Sequence, residues 1–559
     1  MKHAFTLSVA AIALVACGND SPSGEVTITE VDEATAASAL EALYLAESGQ
    51  GAVSWDSRTF EDGVYTFTGL TFVLYEGDQD TPEIAVETEA TEPPQQGPKS
   101  RQDQTVTLDA AVSVTADTMT LAGPRFDADG NVIFDRLAIS TIGIGVNDDD
   151  TDGSIGQVVI EQPNAAMVMA VAESFSGEEG NDGDSPQDWT YGLLTVEGLS
   201  LTGTEDGNTF TVGFDRFAIE DLGNYAVGLF ELTNFAINGE DDEVGIIELS
   251  LDEVSASNIG EAMTYPFVAQ MALAGAAFSA DVPNEDITAD IPEVPEDFDP
   301  LNSFESAAIR GLDANIGGVV ITLDELTAST RNDGGNLVSE SAMTPLIIAP
   351  DTNYTLGAQM ALGLGLMGYQ QLEFVSAGAS VYEREADRGY TTGENYFEMR
   401  DGFRVEVESD VSGILAYSMQ ALQMGYQAEP DPSQVMAMLE PLVLNSFVFR
   451  LEDLSLLDRA LTAASATQGV PKETLRQQAG GMIALATLGA PAEIPRPLLA
   501  EFSPAMTSFI ANGGSVEVRI APETPLSVGD LVAQAEAGTI DYEAAGITIS
   551  AIPPDTTDD

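Results

Sequence analysis

Residues 192–259 read GLLTVEGLSLTGTEDGNTFTVGFDRFAIEDLGNYAVGLFELTNFAINGEDDEVGIIELSLDEVSASNI, and the architecture of the chain turns on them. One eight-residue pattern recurs there: apolar, any, apolar, two polar or glycine residues, apolar, any, apolar. Its copies are Leu194/Val196/Leu199/Leu201, Val212/Phe214/Phe217/Ile219, Phe230/Leu232/Phe235/Ile237 and Leu249/Leu251/Val254/Ala256. They begin at 194, 212, 230 and 249, a period of 18 or 19 residues. Apolar residues two apart share one face of a strand. The central step of three would turn the second pair to the opposite face, and an extra residue in a β-bulge restores the first. Glu197-Gly198, Asp215-Arg216, Thr233-Asn234 and Asp252-Glu253 occupy that step. The segments are rich in Val, Ile, Phe and Thr and are bounded by turn clusters at 203–208, 220–224 and 238–242. The reading is a set of bulged strands of about 10 to 12 residues joined as an antiparallel meander.

The pattern returns at Tyr65–Phe72, Val132–Ile139, Ile321–Ala328 and Phe449–Leu456. An echo at an offset of 80 residues matches Phe134-Asp-Arg-Leu-Ala-Ile139 with Phe214-Asp-Arg-Phe-Ala-Ile219. A second pairs Leu249–Ser257 with Ile321–Ser329. Order is kept while spacing drifts, as duplicated units with loop insertions would show. Repetition of this kind marks scaffold, so Asp135-Arg136 and Asp215-Arg216 read as bulge or ion-pair positions. Neighbouring strand residues point apart, so neither pair need bond internally.

The chain has 559 residues, 44% of them hydrophobic, which is enough for a core. Its formal net charge is −73, and beyond the first few residues the lysines are Lys99 and Lys472. Such a surface repels phosphate backbones, so nucleic acid is excluded as an expected partner. The acidity reads as a solvated surface suited to a salty habitat, with cation capture as the alternative.

Residues 1–17, MKHAFTLSVAAIALVAC, combine a lysine, an apolar run and Leu14-Val15-Ala16-Cys17. This resembles the signal and lipobox of bacterial lipoproteins. The resemblance implies cleavage before Cys17 and lipid attachment at Cys17, with two or three acyl chains anchoring the protein stably to a membrane. Gly18 after the cysteine points, by the same analogy, to the outer membrane, with the periplasmic or surface side left open. Cys17 is the single cysteine, so an internal disulfide is excluded.

The expected organisation is a signal peptide over 1–16, a tether over 17–31, a β-repeat region over 32–280, an acidic Pro-rich linker over 281–300, a second β-repeat region over 301–412, and an α-rich region with closing strands over 413–559. The fold class is therefore mainly β with an α-rich C-terminal part (α+β), built as an elongated meander. Asp32–Ser48 reads as a helix ended by Gly49, and 76–104 as a long loop. Thr355–Gly368 is ambiguous between strand and buried helix. Helices are expected at Val435–Leu439, Leu457–Gln468, Pro471–Leu488, Leu498–Ala511 and Ser527–Ala537, and strands at Ser515–Ile520 and Gly546–Ile552. No apolar run after the signal reaches the roughly 20 residues of a membrane-spanning helix.

The single histidine, His3, leaves with the signal. Without His or a free thiol the mature chain has no Ser-His-Asp or Cys-His nucleophile system and no zinc site built on those ligands. No P-loop and no dinucleotide-binding glycine motif occurs. A carboxylate pair of the glycosidase type survives, but with 92 acidic residues the sequence selects none. Asp148, Asp150, Asp152, Gly153 and Ile155 match positions 1, 3, 5, 6 and 8 of a calcium-binding EF-hand loop, while Val159 stands where the bidentate Glu belongs. Those aspartates are the candidate calcium ligands, against the plainer reading of an acidic hairpin turn; no other cofactor is expected.

The repeated strand unit on an exported chain resembles the AsmA-type envelope proteins over roughly residues 53–410. That resemblance implies a β-meander curved into a groove for lipid chains. The chain departs from the family in carrying a lipobox in place of an N-terminal transmembrane helix. The expectation is a non-enzymatic, membrane-anchored envelope lipoprotein whose β scaffold binds lipid or another apolar ligand or partner. The alternatives are a structural or adhesive surface protein and a carboxylate-dependent glycan hydrolase.

Overall fold

In the computed structural model the described residues are 26–73, 112–146, 152–177, 189–205, 208–223, 225–241, 244–264, 298–424, 432–489 and 496–554. The first strands are β1 (Val53–Ser54), β2 (Ser57–Glu61), β3 (Val64–Val73) and β4 (Val112–Ala122). A small hairpin, β5 (Arg125–Phe126) with β6 (Val132–Ile133), stands apart from the main sheet. Then come β7 (Arg136–Val146), β8 (Asp152–Glu161), β9 (Tyr191–Glu205), β10 (Asn208–Gly223), β11 (Ala226–Asp241) and β12 (Gly245–Ile259). They continue as β13 (Ser306–Ile316), β14 (Val319–Asp333), β15 (Asn336–Pro350) and β16 (Leu372–Glu383). The last are β17 (Arg388–Thr391), β18 (Tyr396–Met399), β19 (Phe403–Ser412), β20 (Val443–Asp453), β21 (Gly514–Ile520), β22 (Leu526–Ser527) and β23 (Ile547–Ile552). Apart from the small hairpin, all belong to one antiparallel sheet, in which the long strands follow one another in chain order.

The antiparallel meander of the sequence reading is therefore present, and it is larger than expected. The strands on either side of the segment read as a linker pair directly, β12 with β13, from Ile247↔Ile316 to Ser257↔Ser306. Residues 265–297, which include most of that segment, lie outside the described residues. The sheet also runs on into the α-rich region through β19–β20 and β20–β21. Both junctions are full ladders, so the two β regions and the closing strands form a single hydrogen-bonded body.

The helices are α1 (Glu33–Ala42), α2 (Ala165–Ser176), α3 (Thr355–Met367), α4 (Ile414–Met424) and α5 (Pro432–Leu439). After β20 follow α6 (Leu456–Gln468), α7 (Lys472–Leu488), α8 (Arg496–Asn512), α9 (Val528–Glu536) and α10 (Tyr542–Ala545). α1 starts at the Asp32 cap but stops at Ala42, six residues before the expected end, with Tyr44 in the left-handed region. Thr355–Gly368 resolves as helix α3, buried only along one side at Gly357 and Leu364, while Leu362 is 70% exposed. α2 has no counterpart in the sequence reading. Two copies of the pattern also dissolve. In Val132–Ile139 the step falls between β6 and β7, and in Phe449–Leu456 β20 ends at Asp453 before α6 begins. No helix of the described residues is long and apolar enough to cross a membrane.

Candidate functional site

The step of three is what builds the site. Opposite Gly198 on β9 stands Asp215 on β10, and the pairs on either side, Phe214↔Leu199 and Arg216↔Glu197, keep one register. The same holds where Asn234 of β11 faces Asp252 of β12 and where Gly311 of β13 faces Asp324 of β14. Both strands carry the extra residue, so the interruption is matched rather than one-sided. A register shift at this level occurs only between β15 and β16 among the described residues, at Met343/Leu346. The result is a crease across the sheet. On alternate strands it is occupied by a left-handed residue: Gly69, Thr141, Gly198, Asn234 and Gly311 have φ between 50° and 66°. On the strands between stand the exposed Asp117, Asp215, Asp252 and Asp324, with Gly156 on β8. Asn234 donates from Nδ2 to Asp215 at 2.7 Å across the crease.

Because the crease is shared, both apolar pairs of every strand return to one face. The rings of Phe214 and Phe217, on either side of the step, lie 6.4 Å apart. Four rows, apolar but for Gly153 on β8 and Ser341 on β15, then cross the sheet in register from β3 to β15. One runs Val196, Phe217, Leu232, Val254, Ile309 and Leu326 through β9 to β14. The next runs Phe235, Leu251, Leu312, Leu323, Leu346 and Phe374 through β11 to β16. A third takes Ile237, Leu249, Ala314, Ile321, Ile348 and Leu372 through the same strands. The echo at an offset of 80 residues does not survive this register. Leu137 and Ile139 of β7 run antiparallel to Phe217 and Ile219 of β10 relative to the rows, and the true copy on β7 is Leu137/Ile139/Ile142/Ile144.

Helices cover this face at its two ends. Ala36, Ala39 and Leu40 of α1, with Met167, Val168 and Phe175 of α2, join Phe67, Met119, Leu137 and Phe217 in one buried cluster. At the other end Met360 and Leu364 of α3 pack with Phe374 and Met399, and Phe509 and Ile510 of α8 with Leu451 and Val516. Leu249, Leu251, Val254, Ile309, Leu312 and Leu326 belong to none of these clusters and stay half-buried. Among the described residues this open floor spans β12 to β14, three strands and about 10 Å at the usual strand spacing, with Ala314 and Leu323 of the same rows buried within it. Each methylene buried on it would contribute about 0.8 kcal/mol.

The opposite face is polar and stitched by arginines. Arg310 on β13 donates to Glu253 of β12 at 2.8 Å and to Glu325 of β14 at 2.9 Å. Arg450 does the same between Glu406 and Glu517, at 2.9 and 2.8 Å. Hydrogen bonds, from Ser255 first and Arg310 next, hold the Glu253 carboxyl below its ordinary range, and the Arg450 guanidinium does so for Glu517. The scaffold reading of the Asp-Arg pairs also stands in the geometry. Asp135 accepts from Arg125 at 2.7 Å while Arg136 reaches Glu161 at 2.9 Å, so the two neighbours bond elsewhere.

Cys17, Asp148 and Asp150 lie outside the described residues. Asp152 and Gly153 open β8, with Asp152↔Gly145 and Gly153↔Ile144 in ladder pairing, so Gly153 does not make the turn that position 6 of an EF-hand loop requires. Among the described residues no group of three acidic, His or Cys side chains is placed to hold a metal ion. The feature missed from sequence is the centre of the face that no helix among the described residues covers. Its residues were all in the quoted pattern, but which of them helices cover is decided by packing at long range.

Residues 396–552 match a protein family described as an uncharacterized protein. Comparison with curated proteins gives no match.

Proposed function

We propose that the protein is a non-enzymatic lipoprotein of the bacterial envelope, anchored through acyl chains on Cys17, whose sheet binds lipid chains or a similar apolar ligand. The observation that carries this reading is the set of half-buried, in-register apolar residues on β12 to β14 (Leu249, Leu251, Val254, Ile309, Leu312 and Leu326) that join no helix-covered cluster among the described residues. A contiguous apolar face left partly accessible speaks for a binding surface rather than a stalk. The lipobox and the resemblance to AsmA-type proteins support the address and the ligand class; the acidic surface speaks against nucleic acid.

The test is native mass spectrometry of detergent-free protein with Leu251→Asp and Leu312→Asp beside the parent. Lipid is expected to co-purify with the parent, and each variant, placing a carboxylate on the floor, is expected to lose at least tenfold in bound lipid while keeping its far-ultraviolet spectrum. A parent that carries no lipid and extracts none from vesicles would remove the binding reading and leave the structural or adhesive alternative.

A further inference from the structure

Beyond the four apolar rows the same face turns hydroxylated. Thr330 of β14 pairs with Ser339 of β15, Ser339 with Ser380 of β16, and Ser380 with Thr391 of β17. Thr330 and Ser339 lie two residues beyond Ala328 and Ser341 of the fourth row, so strand alternation places this hydroxyl row on the apolar side. Ser409 of β19 extends it, its N–H donating to Thr391 Oγ1 at 2.9 Å. The row lines a cleft of about 320 Å³ together with Leu301, Leu337, Tyr382, Val411 and Ile414. A cleft with a row of hydroxyls between apolar walls thus lies beyond one end of the open apolar floor, and β14 belongs to both.

The charges around the cleft decide what it accepts. Arg388 is held by Asp410, with Nε to Oδ1 at 2.8 Å, and Arg384 by Asp299 at 2.6 Å. The Tyr382 hydroxyl donates to Asp387 at 3.0 Å, and burial pushes its pKa up to about 12, so it stays neutral. An anionic head group would meet hydroxyls whose neighbouring cations are already neutralised by carboxylates, on a chain of net charge −73. A polyol can exchange hydrogen bonds with such hydroxyls, which both donate and accept.

We propose that the ligand of the apolar face is an uncharged amphiphile with a hydroxyl-bearing head group, seated in this cleft with its chain along the apolar rows. This rests on the apolar-face reading and specifies its ligand.

The experiment measures binding of a monoacylglycerol, an alkyl glucoside and an alkyl phosphate of equal chain length to the full chain, each below its critical micelle concentration. Displacement of a fluorescent fatty-chain probe is the readout. The two uncharged probes are expected to bind at least tenfold more tightly than the phosphate at about 0.15 M salt; whichever binds better distinguishes a glycerol from a sugar source. Ser380→Ala combined with Ser409→Ala is expected to weaken the preferred uncharged probe about five- to tenfold and leave the phosphate unchanged. Ser380→Thr, which keeps the hydroxyl, is expected to retain affinity and covers the case in which the double variant misfolds. Equal or tighter binding of the phosphate, or no effect of the alanine pair, overturns the head-group assignment while the apolar reading stands. Failure of all three probes and of the fluorescent chain overturns the apolar reading itself.

Discussion

Gly311 shows how much of the fold rests on single backbone positions. Its φ of 63° places it in the left-handed region at the crease, and a β-carbon there would run into the Asp252 carboxylate. Gly311→Ala therefore combines the left-handed penalty of about 1–2 kcal/mol with a steric clash. A fall in the thermal midpoint of several degrees is expected; a variant as stable as the parent would show that the crease tolerates side chains. The sequence displayed the polar or glycine pair at each step but not its meaning. A one-sided bulge and a matched crease leave the same spacing within one strand, and the partner residue alone distinguishes them. Asp410 offers a test by pH. The Arg388 guanidinium, then the Asn445 amide, hold its carboxyl below the ordinary value. A depressed carboxylate contributes stability above its unfolded pKa of about 3.9 and loses it as pH falls through the folded value. Arg388→Gln should thus cost about 1 kcal/mol at neutral pH, the pair being partly solvated, and the gap should close between about pH 5 and pH 2. Urea unfolding at the two ends of that range checks it, and a gap independent of pH would assign the loss to packing.

Among the elements, legibility followed local signals. The C-terminal helices announced themselves by their ends: α6 is stopped by Gly469 at φ 68°, and α7 begins just after Pro471. α2 did not. Its sequence, AAMVMAVAESFS, is apolar nearly all round, and its cap, Asn164, sits among loop-forming residues. Helical identity there comes from docking under the sheet, where Met167, Val168 and Phe175 are buried. α7 is the reverse case, since Met482, Leu485 and Leu488 on its C-terminal half are 69%, 69% and 78% exposed. Val168→Ala is expected to cost about 2 kcal/mol through lost burial and a cavity, and Leu488→Ala to stay within about 0.5 kcal/mol. Denaturant midpoints with unchanged slopes decide it; equal losses in the two variants would contradict the assignment of α2 to the core and of the α7 stripe to the surface.

At the scale of the whole molecule, the strand texture and the α-rich end were legible because alternation and caps are local. The continuity of the sheet was not, because an acidic, Pro-rich stretch reads as a linker whether or not the strands beside it pair. That pairing makes a prediction the two-region reading does not share. A chain ended at Ile259 keeps α1, α2 and the N-terminal cluster but leaves β12 as an open edge, without its ladder to Ser306–Ile316. Leu249, Leu251 and Val254 would also lose their in-row neighbours Ala314, Leu312 and Ile309. Unpaired edges beside apolar side chains recruit other chains. Size-exclusion chromatography is therefore expected to find this fragment self-associated or aggregated while the full chain elutes as a single species at the same concentration. A monomeric fragment with a cooperative unfolding transition of its own would mean that the first twelve strands are complete without the rest, and that the ladder between β12 and β13 joins two bodies able to stand apart.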